Sequence, residues 1–335
     1  MNALRLTEVQ DLVNVARFLV RSYGLDATSV LADARFLEWK YLVSRPEWLG
    51  SRGYVLVRQG NIAAHGGICP VILQLPTGKS IRSLTIMDWA ADPTVPGAGV
   101  ALFSELMKLA DTVFIIGGAP ITRQLLPRIG FRQVGEALTL ARWIRPIQEF
   151  RTRPLSRRSV LRLVHGLSHS LGRRLPVGQW EGRGVPQFDD WVQPLLDHAA
   201  VEATRCQRTV ADLNYLLQCP TGQMKGYILF ENGNPRGYFI LRRSAWEVRL
   251  LDIFVNSMDL QDWRLAYATA TREAADDPEA CRICAIATTP LYREALLQNG
   301  YWMRSREPMM IHDPKNLLIN AFPANFQLFD GDAGY

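Results

Sequence analysis

One succession of structural signals occurs twice along the 335 residues, at an offset of roughly 170 residues. In the first copy, residues 54–58, a Gly60-Asn61 turn and residues 62–72 read as a hairpin. In the second, residues 227–230, the turn Asn232-Gly233-Asn234 and residues 238–241 read likewise. Each hairpin is followed by an apolar, β-prone run that holds one aspartate, Asp88 within 83–89 and Asp252 within 248–254. A helix comes next. Residues 100–109 place Val100, Leu102, Phe103, Leu106, Met107 and Leu109 at helical spacing, and residues 260–275 do so less regularly. Short buried strands are predicted at 113–116 and 283–286. Each leads to a short helix stopped at Gly130-Phe131 or Gly300-Tyr301, because glycine ends helices readily. Upstream, residues 36–42 before Pro46 and 211–217 before Pro220 read as paired helices closed ahead of a proline. The expectation is an α/β protein with domains at 1–145 and 187–335, joined by a basic linker at 146–186.

Length agrees, since a single core is usually built from about 100–200 residues. With 48% apolar and 21% charged residues the chain reads as globular. No apolar run approaches the roughly 18 residues that span a bilayer, and residues 1–10 carry charges where a secretory signal needs an apolar core, so a cytoplasmic location without a transmembrane segment is expected. The five cysteines are odd in number and scattered, against a disulfide framework. Strand alternation sends Cys281 and Cys284 to opposite faces with no second pair nearby, and His165 and His169, one helical turn apart, have no third ligand, so no metal is expected. The net charge of +6 is concentrated between 142 and 174, where Arg151, Arg153, Arg157, Arg158, Arg162, Arg173 and Arg174 face one acid, Glu149. Such a run suits CoA phosphates, a peripheral anionic glycan or lipid surface, or RNA, although a solvated face is its commonest use.

The strongest chemical signal is the stretch Pro96-Gly97-Ala98-Gly99-Val100-Ala101, reached from a strand ending at Trp89 through Asp92-Pro93. Glycines let the backbone curl so that successive amides point at one place, and the helix N-terminus adds about half a positive charge, so a pyrophosphate can be held without a metal. Trp89, Ala90, Gly97, Ala98, Gly99, Val100 and Ala101 are the expected cofactor contacts. The order hairpin, strand, glycine turn, helix, strand, helix, Gly-Phe, strand supports this reading over a glycine-eased helix start.

That order resembles the GNAT (Gcn5-related N-acetyltransferase) superfamily, whose motif Gln/Arg-x-x-Gly-x-Gly/Ala is matched here at Gly99 and Ala101, with Pro96 in place of Gln or Arg. The resemblance runs over about 4–143 and again over 188–313. It implies two tandem GNAT-like domains, each a mixed, splayed β-sheet flanked by helices. It also implies acetyl-CoA or another acyl-CoA as cosubstrate, a small-molecule amine as acceptor, and N-acyltransfer as the reaction. The second copy has Asn256 to Asp262 where the phosphate turn belongs, without glycine and with the acids Asp259 and Asp262, so one CoA site is expected. By position in the family Asp88 is the first candidate base, with His65 and Asp92 as rivals. The family's acid, a tyrosine four residues before Gly-Phe, is replaced by Leu126 and Leu296, and Tyr292 reads as a packing residue. Trp39 and Tyr41 beside Lys40 read as an aromatic helix face packed on the sheet. Two alternatives remain. A Fem-type aminoacyl-tRNA-dependent transferase would bring RNA to the basic linker, though the intact glycine turn makes nucleic acid the lesser expectation. A non-catalytic CoA-binding or scaffold module would account for the missing tyrosine and for Pro96.

Overall fold

A computed structural model describes residues 3–148, 166–168, 170, 172–176, 178–197, 203–221 and 223–331. His165, His169 and the linker arginines Arg151, Arg153, Arg157, Arg158 and Arg162 lie outside the described residues.

The first half runs β1 (Ala3–Leu6), α1 (Leu12–Tyr23), α2 (Ala34–Tyr41), β2 (Gly53–Arg58), β3 (Asn61–Gln74), β4 (Ser80–Ala91), α3 (Ala98–Leu106), β5 (Thr112–Ile116), α4 (Pro120–Leu125) and β6 (Arg132–Trp143). The second runs β7 (Trp180–Val185), α5 (Gln193–Asp197), β8 (Thr204–Cys206), α6 (Val210–Leu217), β9 (Met224–Glu231), β10 (Asn234–Ser244), β11 (Glu247–Val255), α7 (Leu260–Ala275), β12 (Arg282–Ala287), α8 (Pro290–Gln298), β13 (Trp302–His312) and β14 (Ala324–Asn325). β7 falls within the stretch read from sequence as linker. Its alternation is interrupted by Gly182 and Gly184, and it is held by pairing with β9 along its whole length.

The strands among the described residues form one 14-stranded mixed sheet in the order β1-β2-β3-β4-β5-β13-β6-β12-β11-β10-β9-β7, with β8 attached to β3 and β14 to β8. The halves exchange their last strands. β13 lies between β5 and β6 of the first half, with Met309 opposite Ile116 and Met309 also opposite Gly135. In return β6 lies between β13 and β12, with Cys284 opposite Ala141. Each half therefore supplies the closing strand of the other.

Alternation within strands puts neighbouring side chains in different layers. Phe114 of β5 and Ile286 of β12 join a core shared by both halves, where α1, α2, α6 and residues 318–329 cover one face of the sheet. Val113 and Ile115 point the other way, into a core under α3 with Leu102, Phe103 and Leu106. Ile283 and Ala285 point into a third, under α7 and α8. No helix among the described residues is long and apolar enough to cross a membrane.

On the shared face α2 meets α6. Trp39 stacks on Tyr215 with centroids 4.7 Å apart, and the Trp39 indole N–H donates to the Tyr215 carbonyl at 3.1 Å. Arg52, fully buried, donates to the carbonyls of Trp39, Lys40 and Val43 at the end of α2 and to the Tyr215 hydroxyl. Arg45 lies over the rings of Tyr215 and Phe329, pairs with Glu47, and reaches Asp212 of α6 at 3.7 Å. Two carboxyls from different halves thus share one guanidinium. Burial, opposed by Arg45 and reinforced by Asp212, lifts the Glu47 carboxyl from 4.5 to about 7. A raised carboxyl keeps its proton in the folded chain after the unfolded chain has lost it, so this contribution to stability is present below about pH 4.5 and is lost as pH rises through about 7. Glu47→Gln cannot ionise. Its unfolding free energy relative to the parent is expected to improve by on the order of 2–3 kcal/mol between about pH 5 and pH 8, and a difference that stays flat with pH would show that Glu47 ionises normally.

Candidate functional site

β4 and β5 run parallel but pair only at Ser83–Thr112, Leu84–Val113 and Thr85–Phe114, after which they part. β11 and β12 repeat this with Glu247–Arg282, Val248–Ile283 and Arg249–Cys284. Each half therefore opens a gap on the far side of three paired residues, and an aspartate stands three positions beyond the last pair, Asp88 after Thr85 and Asp252 after Arg249. The two gaps have different contents.

In the first half the gap leads to the N-terminus of α3. Gly97 is the residue before the helix, has φ of 79°, and has open space where a Cβ would project. Only glycine adopts that backbone without strain while leaving the approach clear. The first turn of a helix has amides without intrahelical partners, here those of Ala98, Gly99 and Val100, and the Ala98 amide alone turns back on Val95. Val100 is 39% exposed beside them. Gly99 also serves the packing of the helix. A Cβ there would stand 2.9 Å from the Ala91 Cβ, so this glycine lets α3 lie against β4, and the Trp89 indole N–H donates to its carbonyl at 2.9 Å. Asp92 shapes the turn, accepting from the Thr94 amide at 2.9 Å and the Thr94 hydroxyl at 2.7 Å and pairing with Arg21 at 3.5 Å. The Thr94 hydroxyl, then its amide, hold this carboxyl below the usual range.

The other two candidate bases are enclosed. The ladder pairs His65 with Ala90 and Gly67 with Met87, so Asp88 and Trp89 together oppose Gly66 in a β-bulge. The adjacent glycines make room on both faces of the sheet: a Cβ on Gly66 would meet Leu106 of α3, and one on Gly67 would meet Tyr41 of α2. Asp88 has φ of 49°, and its carboxylate meets Lys40 Nζ at 2.7 Å with both side chains 2% exposed, while the Tyr41 hydroxyl donates to the same oxygen. His65 is wholly buried against the Tyr41 ring, with Nδ1 3.2 Å from the Asp88 carbonyl. A carbonyl only accepts, so Nδ1 carries the proton. Nε2 is then a buried lone pair with no hydrogen-bond partner. Burial, followed by the nearby Lys40 charge, pushes the imidazole down to about 4 against the Asp88 hydrogen bond. It is neutral at physiological pH. The structure thus brings Asp88 and His65 together, sealed from solvent, and leaves Asp92 at the rim by the turn.

In the second half the gap is filled. Arg208, buried, donates to Asp252 at 2.7 Å and to Asp330 at 2.6 Å, and the Tyr238 hydroxyl donates to Asp252 at 3.1 Å. Across the gap the Thr288 hydroxyl, just after β12, donates to the Ala324 carbonyl at 2.8 Å and accepts from the Phe326 amide at 2.9 Å. Residues 324–330 therefore lie between the parted strands, and Phe326 continues to a stack on Phe114 of β5 at 4.5 Å. The space left is about 30 Å³, lined by Arg208, Tyr238, Asp252, Asn325, Gln327 and Asp330 among others. That is room for a water or two. The N-terminus of α7 is occupied as well. Asp259 accepts from the Gln261 amide, and Asp262 pairs with Arg236.

Leu126 and Leu296, in the family's tyrosine position, are both buried. The Tyr292 hydroxyl accepts from Asn325 at 2.6 Å, and its ring packs on Trp263. Cys281 and Cys284 are buried, and Arg304 donates to the Cys284 sulfur at 3.0 Å. Among the described residues no group of three or more His, Cys, Asp or Glu is arranged to hold a metal. Sequence reading missed Lys40 as the partner of Asp88, and Arg208 and Asp330 as the filling of the second gap. A lysine among Phe36, Trp39 and Tyr41 was a usable signal, since a charge on an otherwise buried helix face requires a partner. Nothing in the sequence around Asp330 marks it as buried.

No protein-family model and no curated protein matches the sequence. Solved structures do. A GCN5-related N-acetyltransferase from Anabaena variabilis ATCC 29413 superposes with a TM-score of 0.62 over 93% of this chain and 72% of its own, at 13% identity. One from Kribbella flavida does so with 0.55 over 92% and 71%, also at 13% identity. Both likenesses extend over both halves of this chain, and with the parted strands and the intervening helix they show that it has the fold of the GCN5-related N-acetyltransferase superfamily.

Proposed function

We propose that the protein is an acyl-CoA-dependent N-acyltransferase, taking acetyl-CoA or a longer acyl-CoA as donor and the primary amine of a small molecule or sugar as acceptor. One observation carries this reading: of two similar gaps, only the first ends at an open, glycine-started helix N-terminus. The amides of Gly99 and Val100 suit the pyrophosphate, with Gly97, Ala98 and Ala101 around them, because a helix N-terminus favours anions and Gly97 leaves the approach unobstructed. Trp89 and Ala90, at the edge of the gap, suit the pantetheine arm and thioester. In the reaction the amine nitrogen bonds to the thioester carbonyl carbon and the carbon–sulfur bond breaks. The thiolate leaves, and the proton lost by the amine passes through solvent to the sulfur. Of the three candidate bases, Asp92 alone reaches solvent.

The test is release of free thiol from acetyl-CoA as primary amines are offered. Acceptor-dependent thiol release is expected. Leu126, which cannot protonate the leaving thiolate, favours a second reading in which CoA is bound without turnover. Saturable CoA binding with no thiol release from any amine or acyl chain would favour that reading instead.

A further inference from the structure

Asp88 and Trp89 are held by their neighbours at four polar groups. Lys40 and Tyr41 of α2 hold the Asp88 carboxylate, His65 of β3 holds the Asp88 carbonyl, the Tyr23 hydroxyl of α1 donates to the Trp89 carbonyl at 3.1 Å, and the Trp89 indole is tied to Gly99. A non-glycine residue keeps a positive φ in a strand only where its surroundings over-determine it. Direction follows from peptide geometry. The carbonyl and N–H of one trans peptide point in opposite directions. The Asp88 carbonyl is drawn toward the His65 ring, so the Trp89 N–H is aimed away from that ring, and because β3 pairs with Met87 and Ala90 on either side of the bulge, it is left for the side where β5 has parted from β4.

We propose that Lys40, Tyr41 and His65 are positioning residues that act through Asp88, fixing the bulge so that the Trp89 N–H meets the thioester carbonyl oxygen of a bound acyl-CoA. The inference rests on the acyl-CoA reading above. It gives Asp88 and His65 a task that their burial permits, where proton exchange with a substrate amine would need them open. The neutral, Nδ1-protonated imidazole is the form required, and an environment that disfavours its charged form keeps it so.

The experiment needs no acceptor. The thioester carbonyl stretch of carbonyl-¹³C acetyl-CoA is recorded by infrared difference spectroscopy, free and bound, alongside the dissociation constant for CoA itself. Parent protein is expected to lower the stretch, as a hydrogen bond to the oxygen does. His65→Leu, which lacks the donor, is expected to lose the lowering with CoA affinity unchanged within about threefold. His65→Asn, whose amide N–H can replace Nδ1–H, is expected to restore it. Asp88→Asn, similar in size but unable to hold the ammonium, gives an independent reading if His65→Leu does not fold. Failure of folded parent protein to bind CoA would overturn the acyl-CoA reading itself. CoA binding with an unshifted carbonyl in the parent, or a shift that persists in the folded variants His65→Leu and Asp88→Asn, would overturn the positioning proposal and leave that reading intact.

Discussion

Replacing Arg208 with methionine is expected to destabilise the protein by about 3–5 kcal/mol, because it leaves two buried carboxylates without their shared cation. Asp252 and Asp330 are each within 2.7 Å of this one guanidinium and are 3% exposed or less. The loss should appear as a fall in Tm on the order of 10 °C for a chain of this size. Arg208 also ties residues 324–330 to the sheet, so the C-terminal segment should become the first site of proteolysis. Removing the charges together, with Asp252→Asn and Asp330→Asn added to Arg208→Met, should recover much of the loss, since the penalty comes from the unpaired charges and the three positions are strongly non-additive. A Tm within a degree or two of the parent for Arg208→Met alone would mean that the second gap is open to water.

Residues 1–145 expressed without the rest are expected not to form a stable monomer. β6 has both its neighbours, β13 and β12, in the second half, and β5 has β13 on its outer edge. The fragment would expose the unpaired amides and carbonyls of those edges, together with the apolar faces of Phe114 and Ala137 that the second half covers. Weak or absent cooperative unfolding, or self-association, is expected by calorimetry and sedimentation. Added residues 146–335 should restore a single transition. A monomeric fragment with its own sharp transition would show that each half closes its sheet without the exchange.

Much of this architecture was legible because periodicity is local. The helix expected at 260–275 is α7 to the residue, and the strands around Asp88 and Asp252 needed extension by a few residues at most. The glycine turn that opens α3 could be placed because Gly97 and Gly99 interrupt an otherwise bulky sequence, yet their division of labour could not. A positive φ at one and a close approach to Ala91 at the other are properties of the packed helix. The exchange of β6 and β13 leaves no trace in either strand, since a strand's alternation specifies its faces and not its partner. Asp88 and His65 were singled out as chemistry-bearing residue types. Their enclosure depends on Lys40 and Tyr41, some 47 positions from Asp88 along the chain and adjacent to it in the fold. The filling of the second gap depends likewise on Arg208, Thr288 and Asp330 converging from three separate segments.

The central claim, an anion site at the start of α3 in the first half alone, is tested most directly by calorimetric titration of CoA into the parent protein and into Val100→Asp. Position 100 lies in the first turn, where an aspartate suits the helix itself, so stability should hold while negative charge enters the phosphate site. One site per chain is expected in the parent, with affinity weakened on the order of 10- to 100-fold in the variant at an unchanged Tm. Two equivalent sites per chain, or equal affinity in the two proteins, would contradict it.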